Sequence, residues 1–255
     1  MLSWLFISGG NYAGALQQEI ALDKRNDDDG EGVYELAEKC IELNELGVAK
    51  KGFQYVIGLG KEKRLYFGAT RGLLNVLYKE VIVTPNLPKE TLDQTIKAFD
   101  DVISTFGARA AIEVLLEKTY IQAFYANQIS EAIRILEDAL NLGALTDMQR
   151  AEIKMQLADV LVLKGDIWEA SLYYMQIDND FKFEPIGHEA KFKNARVYYY
   201  DGEFEFAQSQ LGVLKESTSK LIANNAMELS LLITENYGLD SNYQAMFWFA
   251  SAELF

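Results

Sequence analysis

A small residue recurs along this chain at nearly constant spacing. The series is Ala15, Ala49, Thr95, Ala132, Ala170, Ala207 and Ala245, with separations of 34, 46, 37, 38, 37 and 38 residues. Four positions after each of the last six comes an aromatic residue or leucine: Phe53, Phe99, Leu136, Tyr174, Leu211 and Phe249. Residues four apart share one face of an α-helix, so each pair predicts a helix carrying a small patch beside a bulky one. One unit repeated at a period in the thirties predicts helices stacked in series, each unit buried against its neighbours, with no single central core.

Composition agrees with this reading. Hydrophobic residues make up 49% of the 255 and charged ones 24%, the balance of a folded chain. Pro85, Pro88 and Pro185 all fall outside the periodic apolar stretches. That suits an all-α protein, because a helix-interior proline costs about 3 kcal/mol. The formal charge is −14, from 38 acidic against 24 basic residues. Phosphate backbones are gripped by clustered Lys and Arg, so nucleic acid is excluded as the expected partner, and anionic lipid surfaces are disfavoured too. The single cysteine, Cys40, cannot form an internal disulfide; it shares an inward helix face with Leu36 and reads as a small buried hydrophobe. No stretch reaches the roughly 18 consecutive apolar residues of a membrane span, so direct membrane insertion is not expected. The apolar opening, Met1 to Ile7, lacks a basic segment and a small-residue cleavage site and is not read as a signal peptide.

The clearest unit starts with Thr146-Asp147-Met148-Gln149, the pattern of a capping box at a helix start. Leu157, Ala158 and Leu161 then share a face, Lys164-Gly165-Asp166 forms a turn, and Ala170 and Tyr174 mark a second helix. The next unit repeats the order with Ala195, Tyr198, Asp201-Gly202-Glu203, Ala207 and Leu211. Other units keep it less strictly: Leu36, Ala37, Asn44, Ala49 and Phe53, then Tyr120, Asn127, Ala132 and Leu136, with Asn where Gly is preferred. Around Thr95 and Phe99 the spacing stretches to accommodate Val83-Thr84-Pro85-Asn86-Leu87-Pro88, a loop that sets Pro88 near the first position of the next helix.

This order of small residue, aromatic, glycine turn, alanine and aromatic resembles the tetratricopeptide repeat (TPR), a helix-turn-helix of 34 residues. The resemblance implies an α-solenoid of antiparallel helix pairs in a right-handed superhelix. It divides the chain into a partial repeat at 1–25, repeats at 30–62, 63–107, 108–144, 147–183 and 187–219, and a truncated final helix pair at 220–255. About six repeats make one array. Both ends fall inside a repeat, and Met246, Phe247, Trp248, Phe249, Leu254 and Phe255 crowd the last one. Arrays finish with a polar cap, so the chain reads as a segment of a longer protein whose cut ends can self-associate.

In TPR proteins the first helix of each pair lines a concave groove that binds peptides or partner helices. Carried over by register, the groove positions are Glu117, Ile121, Phe124 and Tyr125, then Glu152, Met155, Asp159 and Val162, then Glu189, Phe192, Arg196, Tyr199 and Tyr200. Packing against neighbouring repeats is the alternative role for each. The partner-binding set is Glu117, Phe124, Tyr125, Glu152, Asp159, Phe192, Arg196, Tyr199 and Tyr200. TPR receptors for chaperone tails clamp a carboxylate with Lys and Asn one turn apart. The matching pairs here are Tyr34 and Glu38, Glu117 and Ile121, Met155 and Asp159, and Phe192 and Arg196, so that function is excluded.

Asp27, Asp29, Glu31, Gly32 and Glu38 have the spacing of a calcium loop. The competing reading is a solvated loop whose acids favour the next helix N-terminus. His188 opens a helix next to Glu189, a lone His that cannot build a zinc site with one distant Cys; no Ser or Cys nucleophile has a partner base in sequence, and Gly58-Leu59-Gly60 lacks the third glycine of a dinucleotide loop. No metal, cofactor or catalysis is expected. The predicted function is a scaffold binding a protein or peptide; the alternative is a regulator whose groove closes on a peptide or small ligand. A third arrangement puts an enzymatic domain elsewhere in the parent. Long spacings and Tyr- and Phe-rich helices look like TPR proteins of Gram-negative envelopes, which implies the periplasm if the parent carries a signal sequence and the cytoplasm otherwise.

Overall fold

The computed structural model describes residues 2–26, 28–215, 219–237 and 242–254. All the secondary structure in these residues is helical, and the chain divides into two compact units, 1–126 and 127–255. The first holds α1 (Leu2–Ser8), α2 (Tyr12–Asn26), α3 (Glu31–Glu42), α4 (Leu46–Gly58), α5 (Tyr66–Val83), α6 (Lys89–Phe106) and α7 (Ile112–Phe124). The second holds α8 (Ile129–Leu140), α9 (Asp147–Lys164), α10 (Ile167–Asp180), α11 (Pro185–Tyr200), α12 (Phe204–Leu214), α13 (Lys220–Asn236) and α14 (Tyr243–Leu254). Consecutive helices pack side by side: α3 on α4 and α4 on α5 in the first unit, α9 to α12 in the second.

The recurrent small residues make this packing close. Ala15, Ala49, Thr95, Ala132, Ala170 and Ala207 are all buried, as are the bulky partners Phe53, Phe99, Leu136, Tyr174 and Leu211. A β-carbon placed on Gly52 would lie 2.8 Å from that of Ala37, so α3 and α4 meet almost backbone to backbone. Phe53 then reaches across to α5, where a β-carbon on Gly72 would sit 2.5 Å from its ring. Burying a ring of this size stabilises by roughly 1.5–3 kcal/mol.

The turns follow the residues that permit them. Gly165 (φ 95°) and Gly202 (φ 85°) close α9 and α11 in the left-handed region, and Asn44 (φ 60°) and Asn127 (φ 54°) take equivalent positions. Asn is one of the few side-chain-bearing residues that adopts this conformation readily. Thr146 and Gln149 form the capping box at α9, each backbone N–H donating to the other's side chain at 3.1 Å. Pro88 immediately precedes α6 and fixes the exit from the long loop.

The last unit departs from the expected register. Ala245 is exposed and Phe249 is 49% exposed, whereas Met246 and Ala250 are buried, one residue later. The helix α14 packs on α11, where Tyr199 donates to Glu253 at 2.7 Å, and its Tyr243 meets the ring of Phe204 at the start of α12.

Candidate functional site

Four of the expected partner-binding residues converge. Phe192, Arg196, Tyr199 and Tyr200 of α11 line a cleft of about 290 Å³, facing Asn225, Glu228, Leu229 and Leu232 of α13 and Glu253 of α14. Spacing on α11 places 192, 196 and 200 on one face, four residues apart. Arg196 is exposed, its guanidinium lies 5.4 Å from the centre of the Tyr200 ring, and its Nε donates to the Tyr200 hydroxyl at 3.1 Å. Among the described residues Arg196 has no carboxylate partner. Phe192, Tyr200, Leu229 and Leu232 are partly buried against the core and floor the cleft.

Tyr199 contributes to this cleft while being almost wholly buried. It is 1% exposed, packs with the core, and its hydroxyl donates to Glu253. Burial first, and then Glu253, push that hydroxyl far above the ordinary tyrosine range. Ile121 (0% exposed) and Met155 (7% exposed), expected at the groove, are also buried. The α13 residues escaped the sequence reading, although a signal existed. Leu229 follows Phe192 by 37 residues and Leu232 follows Arg196 by 36, one repeat in each case.

The remaining positions are separate from this cleft. Asp159 accepts from Tyr174 and from Lys193, both at 2.6 Å, and Glu152 is half-buried on the same helix, α9. In the first unit Glu117 is held by Arg71 in a two-pronged pair at 2.7 and 2.8 Å. Phe124 and Tyr125 are a little over one-third exposed and share an aromatic cluster with Tyr120 and Tyr78. Burial, then the neighbouring Tyr120, pushes the Tyr78 hydroxyl up to about 12.

The stretch weighed as a calcium loop begins at Asp27, which lies outside the described residues. Of the others, Asp29 pairs with Lys63, Glu31 with Arg64 at 2.9 Å, and Glu38 accepts from Tyr34 at 3.0 Å. Among the described residues no three His, Cys, Asp or Glu side chains gather as a metal would require. The loop is organised instead by Asp23, which is buried at 6% exposure. Its carboxylate accepts from the Gly30 backbone N–H and the Tyr55 hydroxyl, both at 2.6 Å.

No protein-family model matches the sequence, and no curated protein matches it. Solved structures do match. A tetratricopeptide repeat protein from Parabacteroides merdae superposes with a TM-score of 0.59 at 12% identity, covering 97% of this chain and 95% of that one. A thermophilic TPR protein from Thermus thermophilus gives 0.48 at 20% identity, covering 77% and 95% of the two chains. YrrB, described as a TPR protein with an unusual peptide-binding site, gives 0.49 at 16% identity, covering 82% and 97%. The likeness to the Parabacteroides protein, over nearly the whole of both chains, shows that this chain has the tetratricopeptide-repeat fold.

Proposed function

We propose that this protein is a non-catalytic scaffold that holds a partner protein or peptide in the cleft between α11 and α13. One observation carries the reading: a single cleft brings Phe192, Arg196 and Tyr200 together with Leu229 and Leu232. Aromatic and arginine side chains dominate the energetics of protein interfaces, and they do so best when held in place beforehand. Tyr200 holds Arg196 through its ring and hydroxyl. Glu228 and Glu253 supply acceptors from other helices, so the cleft offers both charges around an apolar floor. Phe124 and Tyr125 offer a separate partner-contact patch within the first unit. No helix among the described residues is long and apolar enough to cross a membrane; we place the scaffold at the bacterial envelope on the resemblance of its long repeats and Tyr- and Phe-rich helices.

Selection of a random peptide library on the purified chain is expected to return a recurring sequence. Its binding should weaken about tenfold or more in Arg196→Ala and Tyr200→Ala. A library that yields no recurring sequence, or one that both variants still bind normally, sinks the assignment. Fractionation of the native protein with the cytosol would remove the envelope placement alone.

A further inference from the structure

We infer that α10 and α12 together present a second docking surface, fitted to a lysine- or arginine-rich amphipathic helix of a partner protein. Trp168 (54% exposed), Leu172 (56%) and Met175 (38%) are spaced four and three apart, so they form one stripe along α10. The opposite side of that helix buries Ala170, Tyr174 and Ile177. On α12, Phe206 (47% exposed) and Val213 (64%) are seven apart and again share a face. Tyr198 of α11 joins the two stripes, its ring centre 6.0 Å from that of Trp168 and 4.4 Å from that of Phe206. Exposed apolar side chains gathered into one patch mark an interaction surface; the same residues scattered singly would not.

Charge selects the occupant. Neither α10 nor α12 contains a lysine or arginine, while Glu169, Asp178, Asp180 and Glu205 lie on them. Two nearby lysines are paired, Lys164 with Asp166 at 2.7 Å and Lys191 with Asp178 at 3.1 Å, and Lys182 and Lys215 lie just past the C-terminal ends of α10 and α12. A helix with cations flanking its apolar stripe is therefore attracted. A second copy of this chain, with formal charge −14, is repelled, as is an anionic lipid surface. The 14 residues of α10 span about 21 Å, the length of a helix that docks through anchors at i, i+4 and i+7. The patch shares no residue with the α11–α13 cleft, so either surface can fail without the other.

The test uses the full chain and two fluorescein-labelled amphipathic peptides of about four turns, one of Leu and Lys, the other of Leu and Glu. Anisotropy titration should show the Leu/Lys peptide binding with a Kd on the order of 10 µM and the Leu/Glu peptide not binding. The double substitution L172D/F206D should weaken the Leu/Lys peptide at least about tenfold. E169K/E205K changes only exposed side chains, and it should weaken the Leu/Lys peptide and admit the Leu/Glu one. Undiminished binding in L172D/F206D overturns the proposal, as does equal binding of both peptides to the unmodified chain. Sedimentation showing a dimer that L172D/F206D converts to monomer would assign the face to self-association and overturn it too.

Discussion

The Phe53 ring rests where Gly72 has only hydrogen, and that contact fixes how closely α4 and α5 approach. Gly72→Ala would place a β-carbon 2.5 Å from the ring, so it should lower stability by about 1–3 kcal/mol in chemical denaturation. Gly47→Ala is the control: nothing lies within 4 Å of its β-carbon position on an exposed part of α4, so it should gain about 0.5 kcal/mol. The Cys40 thiol is buried and pushed up to about 11, by burial first and then by Glu45. Thiol reagents at pH 8 should therefore label it only as the chain unfolds. Burial, then Asp23, raises the Tyr55 hydroxyl to about 12, above the value near 10 of an unfolded tyrosine. A raised folded-state pKa contributes stability that is complete below pH 10 and lost as pH rises through 12. Between those values the denaturation midpoint should fall less in Tyr55→Phe than in the unmodified chain; an equal fall would refute the assignment.

Individual elements differ in how openly their residues announce them. The capping box of α9 was legible in Thr146 and Gln149, because its pattern is local. Thr146→Ala should cost about 1 kcal/mol, read as earlier loss of helical signal. The turn positions were legible for the same reason: glycine or asparagine stands at 165, 202, 44 and 127, and each has positive φ. Asn127→Ala should then destabilise by about 1 kcal/mol while Asn127→Gly stays near neutral. The register of α14 was not legible. Met246, Phe247, Trp248 and Phe249 are consecutive and apolar, so periodicity does not distinguish an inward Met246 from an inward Ala245. Tyr198, Tyr199 and Tyr200 pose the same problem on α11. Three identical side chains in a row face three directions, and only packing decides that Tyr199 is buried while Tyr200 stays part-exposed beside Arg196.

Across the whole chain the repeat leaves a second mark, in its charges. Lys63 pairs with Asp29 and Lys193 with Asp159, 34 residues apart in both cases. Each joins residues about one repeat length apart in the sequence. Apolar periodicity alone could not reveal these pairs, but opposite charges at the repeat distance would have. A double-mutant cycle on Asp159 and Lys193 should give a coupling of about 0.5–1 kcal/mol, modest because both side chains remain roughly one-quarter exposed. Asp23 has a different consequence. Its carboxylate ties the start of α3 to the last turn of α4, through the amide of Gly30 and the phenol of Tyr55. The Gly30 proton therefore sits in a connecting segment yet cannot reach water until that carboxylate lets go. In deuterated solvent it should exchange as slowly as protons deep within α4, the behaviour of a helix interior at the end of a loop.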